Sequence, residues 1–292
     1  METANLSFNT HAHKRPVSMC FSYDLYRPHL FDTLLPVIDA IEICPDTISY
    51  SKNGKIFLDE RIMEQLQSVN GDKKILIHGV GLSIGSHDSM NQHYIGLLDD
   101  LFERLSITWH SEHLAYCQVD GQNLNTMLTV PRTDEALALI SARVQWLANR
   151  YKVPFLLENI ANLLPTREYD YSLPQFLNNL QRSSGCGLIL DIYNLECDEY
   201  NYHTSAQNHI DEINLQAVKE IHIAGGPIES EMKLDVHSRR VAENTLDLTG
   251  QVLQQDSGIE VVTFELLPEA YELYTPEELA QHIHYIRERI DI

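Results

Sequence analysis

KILIH (74–78), ITWHSEH (107–113), PFLLEN (154–159), GLILD (187–191), EIHIA (220–224) and EVVTFE (260–265) are short apolar runs with a common ending. Each stops at or beside a residue able to bind a metal or move a proton: His78, His113, Glu158, Asp191, His222 and Glu265. Two earlier runs, MCFSYD (19–24) and AIEIC (40–44, with Glu42 inside it), extend the series. Runs of this length, rich in Ile, Val, Leu and Phe and followed by a polar residue and a helix-like segment, read as buried parallel strands. About eight such units predict an α/β protein, a (β/α)8 TIM barrel whose chemistry sits at the C-terminal ends of the strands.

Length and composition agree with that reading. A barrel needs roughly 250 residues, so the 292 present suit one domain, placed at 17–292 behind an N-terminal tail of 1–16. Hydrophobic residues make up 43% and charged residues 22%, ordinary values for a globular protein. No apolar run approaches the ~20 residues of a membrane span, and the opening METANLSFNTHAHKR lacks the apolar centre of a signal peptide. A cytoplasmic protein with no membrane partner is expected. Lys and Arg number 21 against 42 Asp and Glu, a formal charge of −21 that disfavours nucleic acid. A cation, a basic peptide or a cationic protein patch suits that charge better, unless it serves solubility alone. Five cysteines without a Cys-x-x-Cys pair argue against a disulfide framework, a zinc ribbon or an iron–sulfur cluster.

Helical periodicity falls between the runs, over 25–38, 58–68, 91–105, 133–151, 173–183, 241–255 and 275–289. Thr133 and Thr275 are expected caps, with acidic first turns and, for the latter, Pro276 at the first helical position. The segment 196–216 reads as a long loop plus helix beside the barrel mouth, and its Asp198, Glu199 and Tyr200 as a solvated face. A small hairpin turning at Asn53-Gly54 is expected within 44–60.

Glu158, Asp191, Glu265 and Asp235 carry the chemical argument. If these carboxylates converge, each ionised pair about 4 Å apart repels by roughly 4 kcal/mol at an effective dielectric of 20. Cations or protons must neutralise them. His78, His113, His222 and His237 at neighbouring strand ends make metal the better answer, because neutral imidazole binds metal and offsets no charge itself. Such a donor set suits Fe, Mn or Zn and exceeds the needs of one ion. Asp235 and His237, two apart on an extended segment, would point to the same side and grip a single ion. His110, three residues before His113, faces the other way and reads as a supporting group. Gly79, Gly81 and Gly85 in HGVGLSIGS fit neither a P-loop nor a dinucleotide fingerprint, and predict a tight turn that gives a peptide access to the metals.

HGVGLSIGS, SEHLAY, LLENI, LILDIYN, IHIAGG, the Asp-x-His of LDVH and the late strand Glu resemble, in order over about 17–268, the domain-of-unknown-function 692 family. That family is described as multinuclear non-haem iron-dependent oxidative enzymes and includes the oxidase subunit of methanobactin biosynthesis. The resemblance implies a xylose-isomerase-like barrel and a ligand set of His78, His113, Glu158, Asp191, Asn194, His222, Asp235, His237 and Glu265. It also implies two or three iron ions in mixed Fe(II)/Fe(III) valence, with dioxygen as co-substrate. The implied substrate is a ribosomally made precursor peptide, modified at a Cys or another C-terminal residue. A small leader-peptide-binding partner protein, paired with this chain as a heterodimer, is implied too. Many members have a His after the Ala-Gly of the seventh strand and a Gly after the Asp-x-His, where this chain has Gly226 and Ser238.

Other classes compete. A divalent-metal sugar isomerase or endonuclease IV-like barrel gathers similar residues, although the acidic charge opposes the nuclease. A retaining glycosidase using Glu158 and Glu265 leaves four histidines without a task. A metal-storage or peptide-binding protein without turnover would carry the same ligands.

Overall fold

The computed structural model describes residues 16–22, 27–53, 55–164, 169–255 and 257–292. Eight parallel strands close into a barrel: β1 (Ser18–Ser22), β2 (Ala40–Ile43), β3 (Lys74–Gly79), β4 (Ile107–His113), β5 (Phe155–Glu158), β6 (Gly187–Asp191), β7 (Val218–Ile223) and β8 (Val261–Phe264). Each lies beside its sequence neighbours, and β8 pairs with β1 to complete the ring. The strand set is the one the apolar runs predict. The expected tail, and Tyr23 and Asp24 at the end of the first run, lie outside the described residues, apart from Pro16.

Alternation along each strand makes two cores. Residues such as Ile75, Ile77, Leu157, Ile221 and Phe264 face outward and pack with the helices in the larger hydrophobic cluster. Cys20, Ala40, Leu76, Trp109, Leu156, Ile189 and Val261 fill the barrel interior. Further along the same inward rows the apolar residues give way to Glu42, His78, His113, Glu158, Asp191 and His222. Apolar packing closes the base of the barrel, and polar groups gather at its C-terminal end.

Helices surround the sheet: α1 (Pro28–Leu34), α2 (Glu60–Val69), α3 (Gln92–Arg104), α4 (Asp134–Tyr151), α5 (Leu173–Ser184), α6 (Ile192–Tyr202), α7 (Ala206–Glu212), α8 (Glu243–Leu253) and α9 (Pro276–Ile290). Thr133 accepts from Ala136 N, and Thr275 forms a reciprocal capping box with Glu278, as the sequence predicts. The first helix begins later than its periodicity suggests and ends in a 3₁₀ turn at Leu35–Val37, because Pro36 cannot continue an α-helical ladder. The hairpin pairs Ser49–Lys52 with Lys55–Leu58, while Gly54 lies outside the described residues.

One segment departs from the sequence reading. Residues 196–216 form the end of α6 and all of α7, and Asp198 is buried, accepting from the backbone and side-chain amides of Asn162. The polar letters concealed a helix packed on the barrel rim. A second hairpin, Ala115–Val119 with Gln122–Thr129, rises from β4 over the mouth and has no counterpart in the periodicity reading. Among the described residues no helix is long and apolar enough to cross a membrane.

Candidate metal centre

Register places the donors at one level. His113 stands beside Glu158 on the neighbouring strand, and Asp191 beside His222. Glu158 is the hub: its Oε2 lies 2.9 Å from His78 Nε2 and 3.3 Å from His113 Nε2, and its Oε1 lies 3.4 Å from His222 Nδ1. Glu265 Oε2 is 3.1 Å from His222 Nδ1 and 3.3 Å from His237 Nδ1, and His237 Nε2 is 2.7 Å from Asp235 Oδ1. Donor atoms of Glu158, Asp191, His222 and Glu265 lie within 4.8 Å of one another, as do those of His78, His113 and Glu158.

The surrounding hydrogen bonds turn acceptors toward the centre. The Ser111 hydroxyl donates to Ile77 O, so it accepts the Nδ1 proton of His78 at 2.9 Å. His113 Nδ1 donates to Gly79 O at 2.9 Å. With both Nδ1 atoms so committed, two Nε2 lone pairs face each other across 3.2 Å, an arrangement that calls for a cation or a proton between them. Asn159 pairs with the backbone of Asp191 through both ends of its side-chain amide, and its backbone carbonyl accepts from Asn194 Nδ2, which aims Asn194 Oδ1 away. Asp191 caps α6 by accepting from Asn194 N at 2.6 Å, leaving its other oxygen uncommitted.

Glu158 Oε2, Asp191 Oδ2, Asn194 Oδ1, His222 Nδ1, His237 Nε2 and Glu265 Oε2 are all buried without a hydrogen bond. Unpaired buried polar atoms are rare because each forfeits its hydration. Six in one cluster, all oxygen or imidazole nitrogen, fit metal ions as the missing partners, and the donor set lacks thiolate.

In the metal-free chain, protons take the place of that charge. Burial disfavours imidazolium, yet Glu158 and Glu42 raise His78 to about 9, and Glu265 and Asp235 raise His237 to about 10. Glu265, Glu42 and Glu158 likewise hold His222 well above its ordinary value, against burial. Burial would raise Glu158, but His113, His78 and His222 keep it well below the carboxylate range. Glu265, opposed in the same way by burial, falls to about 2 through His222 and His237. Burial, then Glu158, push Asp191 well above it. Burial lifts Glu42 to about 7, although His222 pulls the other way.

The structure draws all nine sequence-named residues into one connected group. Asp235 and His237 reach it from an irregular segment rather than an extended one, His237 having φ +34°. His110 faces outward as expected, its Nε2 3.0 Å from Glu112 Oε1 and its ring against Phe155. Gly79 and Gly81 differ from expectation: a Cβ on Gly79 would strike Tyr94 and Glu112, and one on Gly81 would strike Asp46 and Tyr94. Internal packing demands these glycines. Gly226 has its own reason, since a Cβ there would lie 2.5 Å from Leu234 O and from the Tyr193 hydroxyl that donates to it. Ser111, Asn159 and Glu220 escaped the sequence reading. Their signal was polarity inside an apolar strand or beside a ligand, as in LLEN and KEIHI.

Above the donors opens a cavity of about 580 Å³, walled by Cys44, Asp46 and Cys117, by Asn123, Asn125, Thr126 and Met127 of the second hairpin, and by Leu266, Leu267 and Tyr271. Fold and site together define a xylose-isomerase-like barrel with a carboxylate and histidine cluster able to hold metal at the C-terminal strand ends. The chain belongs to the family described as RiPP precursor modification enzyme MbnB/TglH/ChrH, which matches residues 25–289 and acts on ribosomally made precursor peptides. It is 32% identical over 196 residues to a UPF0276 protein of Vibrio vulnificus strain YJ016, covering 66% of this chain and 67% of that one. To a UPF0276 protein of Caulobacter vibrioides it is 26% identical over 227 residues, 77% and 79% of the two chains. Among solved structures, D-psicose 3-epimerase from Clostridium cellulolyticum H10 aligns with TM-score 0.59 and 11% identity, over 94% of this chain and 99% of that one. The 3-keto-D-glucoside 4-epimerase of E. coli aligns with TM-score 0.55 and 13% identity, over 94% and 100%. These likenesses concern the fold alone.

Proposed function

We propose that this chain is an iron-dependent oxidase that uses dioxygen to modify a Cys, or another C-terminal residue, of a precursor peptide in natural-product or metallophore biosynthesis. A small leader-binding protein would present the peptide. The observation that carries the reading is the cluster of buried acceptor atoms without donors, in a chain whose family modifies precursor peptides. His78, His113, Glu158, Asp191, Asn194, His222, Asp235, His237 and Glu265 would hold two or three irons. Bound iron supplies the positive charge that attracts a substrate thiolate and the redox chemistry that passes its electrons to dioxygen.

The chain's own residues do the rest. Among the described residues lining the cavity there is no Lys or Arg, and once metal displaces their protons His78 and His237 would carry no charge to compete for an anionic substrate group. A thiolate entering there would meet the metal that the ligands below would hold. Asn123, Asn125 and Thr126 offer hydrogen bonds to a peptide backbone, while Leu266 and Leu267 shed water from one wall. Ser111, Gly79 and Asn159 fix the orientation of the ligand rings and amides, so reorganisation on loading is small.

Two measurements test the proposal. Iron loaded anaerobically and counted by elemental analysis should exceed one per chain; one tightly held zinc with no iron uptake overturns it. With a Cys-containing precursor peptide and its partner protein, aerobic incubation should change the peptide mass by loss of hydrogen or carbon. An equal mass change without oxygen identifies a hydrolase or isomerase instead.

A further inference from the structure

We propose that Glu42 is a positioning residue for this centre, accepting the Nε2 proton of His222 from inside the barrel and so keeping the Nδ1 lone pair of His222 free for metal on the side where Glu158 and Glu265 lie. The proposal rests on the metal-centred reading above. Its geometry lies one layer below the donors. His222 and Glu220 are fully buried, Glu42 is 1% exposed, and Trp109 and Thr263 close the space around them.

A neutral imidazole gives one nitrogen to a metal and keeps a proton on the other. The Nδ1 side of His222 faces Glu158 and Glu265 at 3.4 and 3.1 Å. The Nε2 side faces Glu42 Oε2 at 3.3 Å and Glu220 Oε1 at 3.5 Å. These two carboxylates are not equivalent. Glu220 already accepts from Thr263 Oγ1 at one oxygen and from Trp109 Nε1, at 3.0 Å, at the other. Both oxygens of Glu42 lack any donor. The imidazole N–H therefore has one uncommitted acceptor, and Glu42 has one N–H to satisfy it. A carboxylate behind a ligating imidazole fixes its tautomer and strengthens it as a donor.

The competing assignment makes Glu42 a direct ligand, since a Glu42 oxygen also lies within 4.8 Å of nitrogens of His78 and His222. Counting metal separates the two. Wild type, Glu42→Gln, Glu220→Gln and Glu158→Ala are loaded anaerobically with iron(II); iron is counted at saturation and affinity read by competition with a chromogenic chelator. Glu42→Gln should keep the wild-type count and bind more weakly by roughly 10- to 100-fold, with unchanged circular dichroism. Glu220→Gln should lose less, its partners being Trp109 and Thr263. Loss of one iron per chain in Glu42→Gln, unchanged affinity, or a larger loss in Glu220→Gln overturns the proposal. Should Glu42→Gln fail to fold, Glu42→Asp keeps the charge and withdraws it by one methylene; full iron count with reduced affinity is expected, and unchanged affinity overturns it. If wild type takes up no iron and Glu158→Ala behaves identically, the reading of the centre itself falls, and this proposal with it.

Discussion

Glu158 sits where the rings of His78, His113 and His222 meet, and in the metal-free chain its charge is balanced by protons on its neighbours. Replacing it by Ala leaves imidazole lone pairs facing one another with no anion to hold a cation among them. Glu158→Ala should therefore lose at least one metal per chain, and its turnover should fall by more than the roughly 100-fold typical of residues outside the ligand shell. Circular dichroism should stay that of a folded barrel, because the apolar interior cluster does not include Glu158. Wild-type metal content in the folded variant would remove Glu158 from the ligand set. At this scale the sequence was informative wherever a candidate ligand ends an apolar run. It was silent about Ser111 and Asn159, whose tasks exist only because a neighbouring strand places a histidine or an aspartate beside them.

Elements convert those residues into a site. Asp191 ends β6 and caps α6 in the same position, so helix initiation orients the carboxylate and brings Asn194 one turn along. The caps of α4 and α9 were legible, because Thr followed by acidic residues is a local signal. Residues 196–216 were legible only as a loop plus helix, and the burial of Asp198 was not, since that burial is against the barrel and the letters are polar.

His282 in α9 gives a test of element docking. Its Nε2 accepts from Val241 N at 3.0 Å, and burial, then Arg240, lower its pKa to about 4. Unfolded, a histidine titrates near 6.5. Between about pH 6.5 and 4 the unfolded chain thus binds more protons than the folded one at this site, and stability is lost as pH falls. Relative to His282→Gln, which does not titrate, wild type should lose stability with a one-proton slope below about pH 6.5. Urea unfolding at pH 7.5, 6.0 and 5.0 measures it, and a pH-independent difference would mean that His282 titrates in the fold as it does in the unfolded chain.

For the whole molecule, the formal charge of −21 and the carboxylate cluster act in one direction. Metal bound only by the folded state stabilises it by about 2.7 kcal/mol for each ion held at 100 times its dissociation constant. In a domain of this size, that shifts the unfolding midpoint by roughly 5 °C per ion. Chelation of the iron-loaded protein should lower Tm by at least that amount, and iron should restore it. An unchanged Tm would place the bound iron outside the cluster.

The sequence by itself determined the barrel, because each strand is a local apolar run and most helices a local period, and it named eight residues, with a ninth, Asn194, through the family resemblance, that the structure gathers into one group. It also foretold that these residues need a compensating charge. Only the tertiary structure decided which atoms face the centre, since that depends on hydrogen bonds between strands far apart in the chain. His78 is turned by Ser111, Asn194 by Asn159, and His222 lies between two layers of carboxylates. Strand register and barrel closure create these partnerships across about 30 to 180 residues of chain, and no local pattern carries information over that separation.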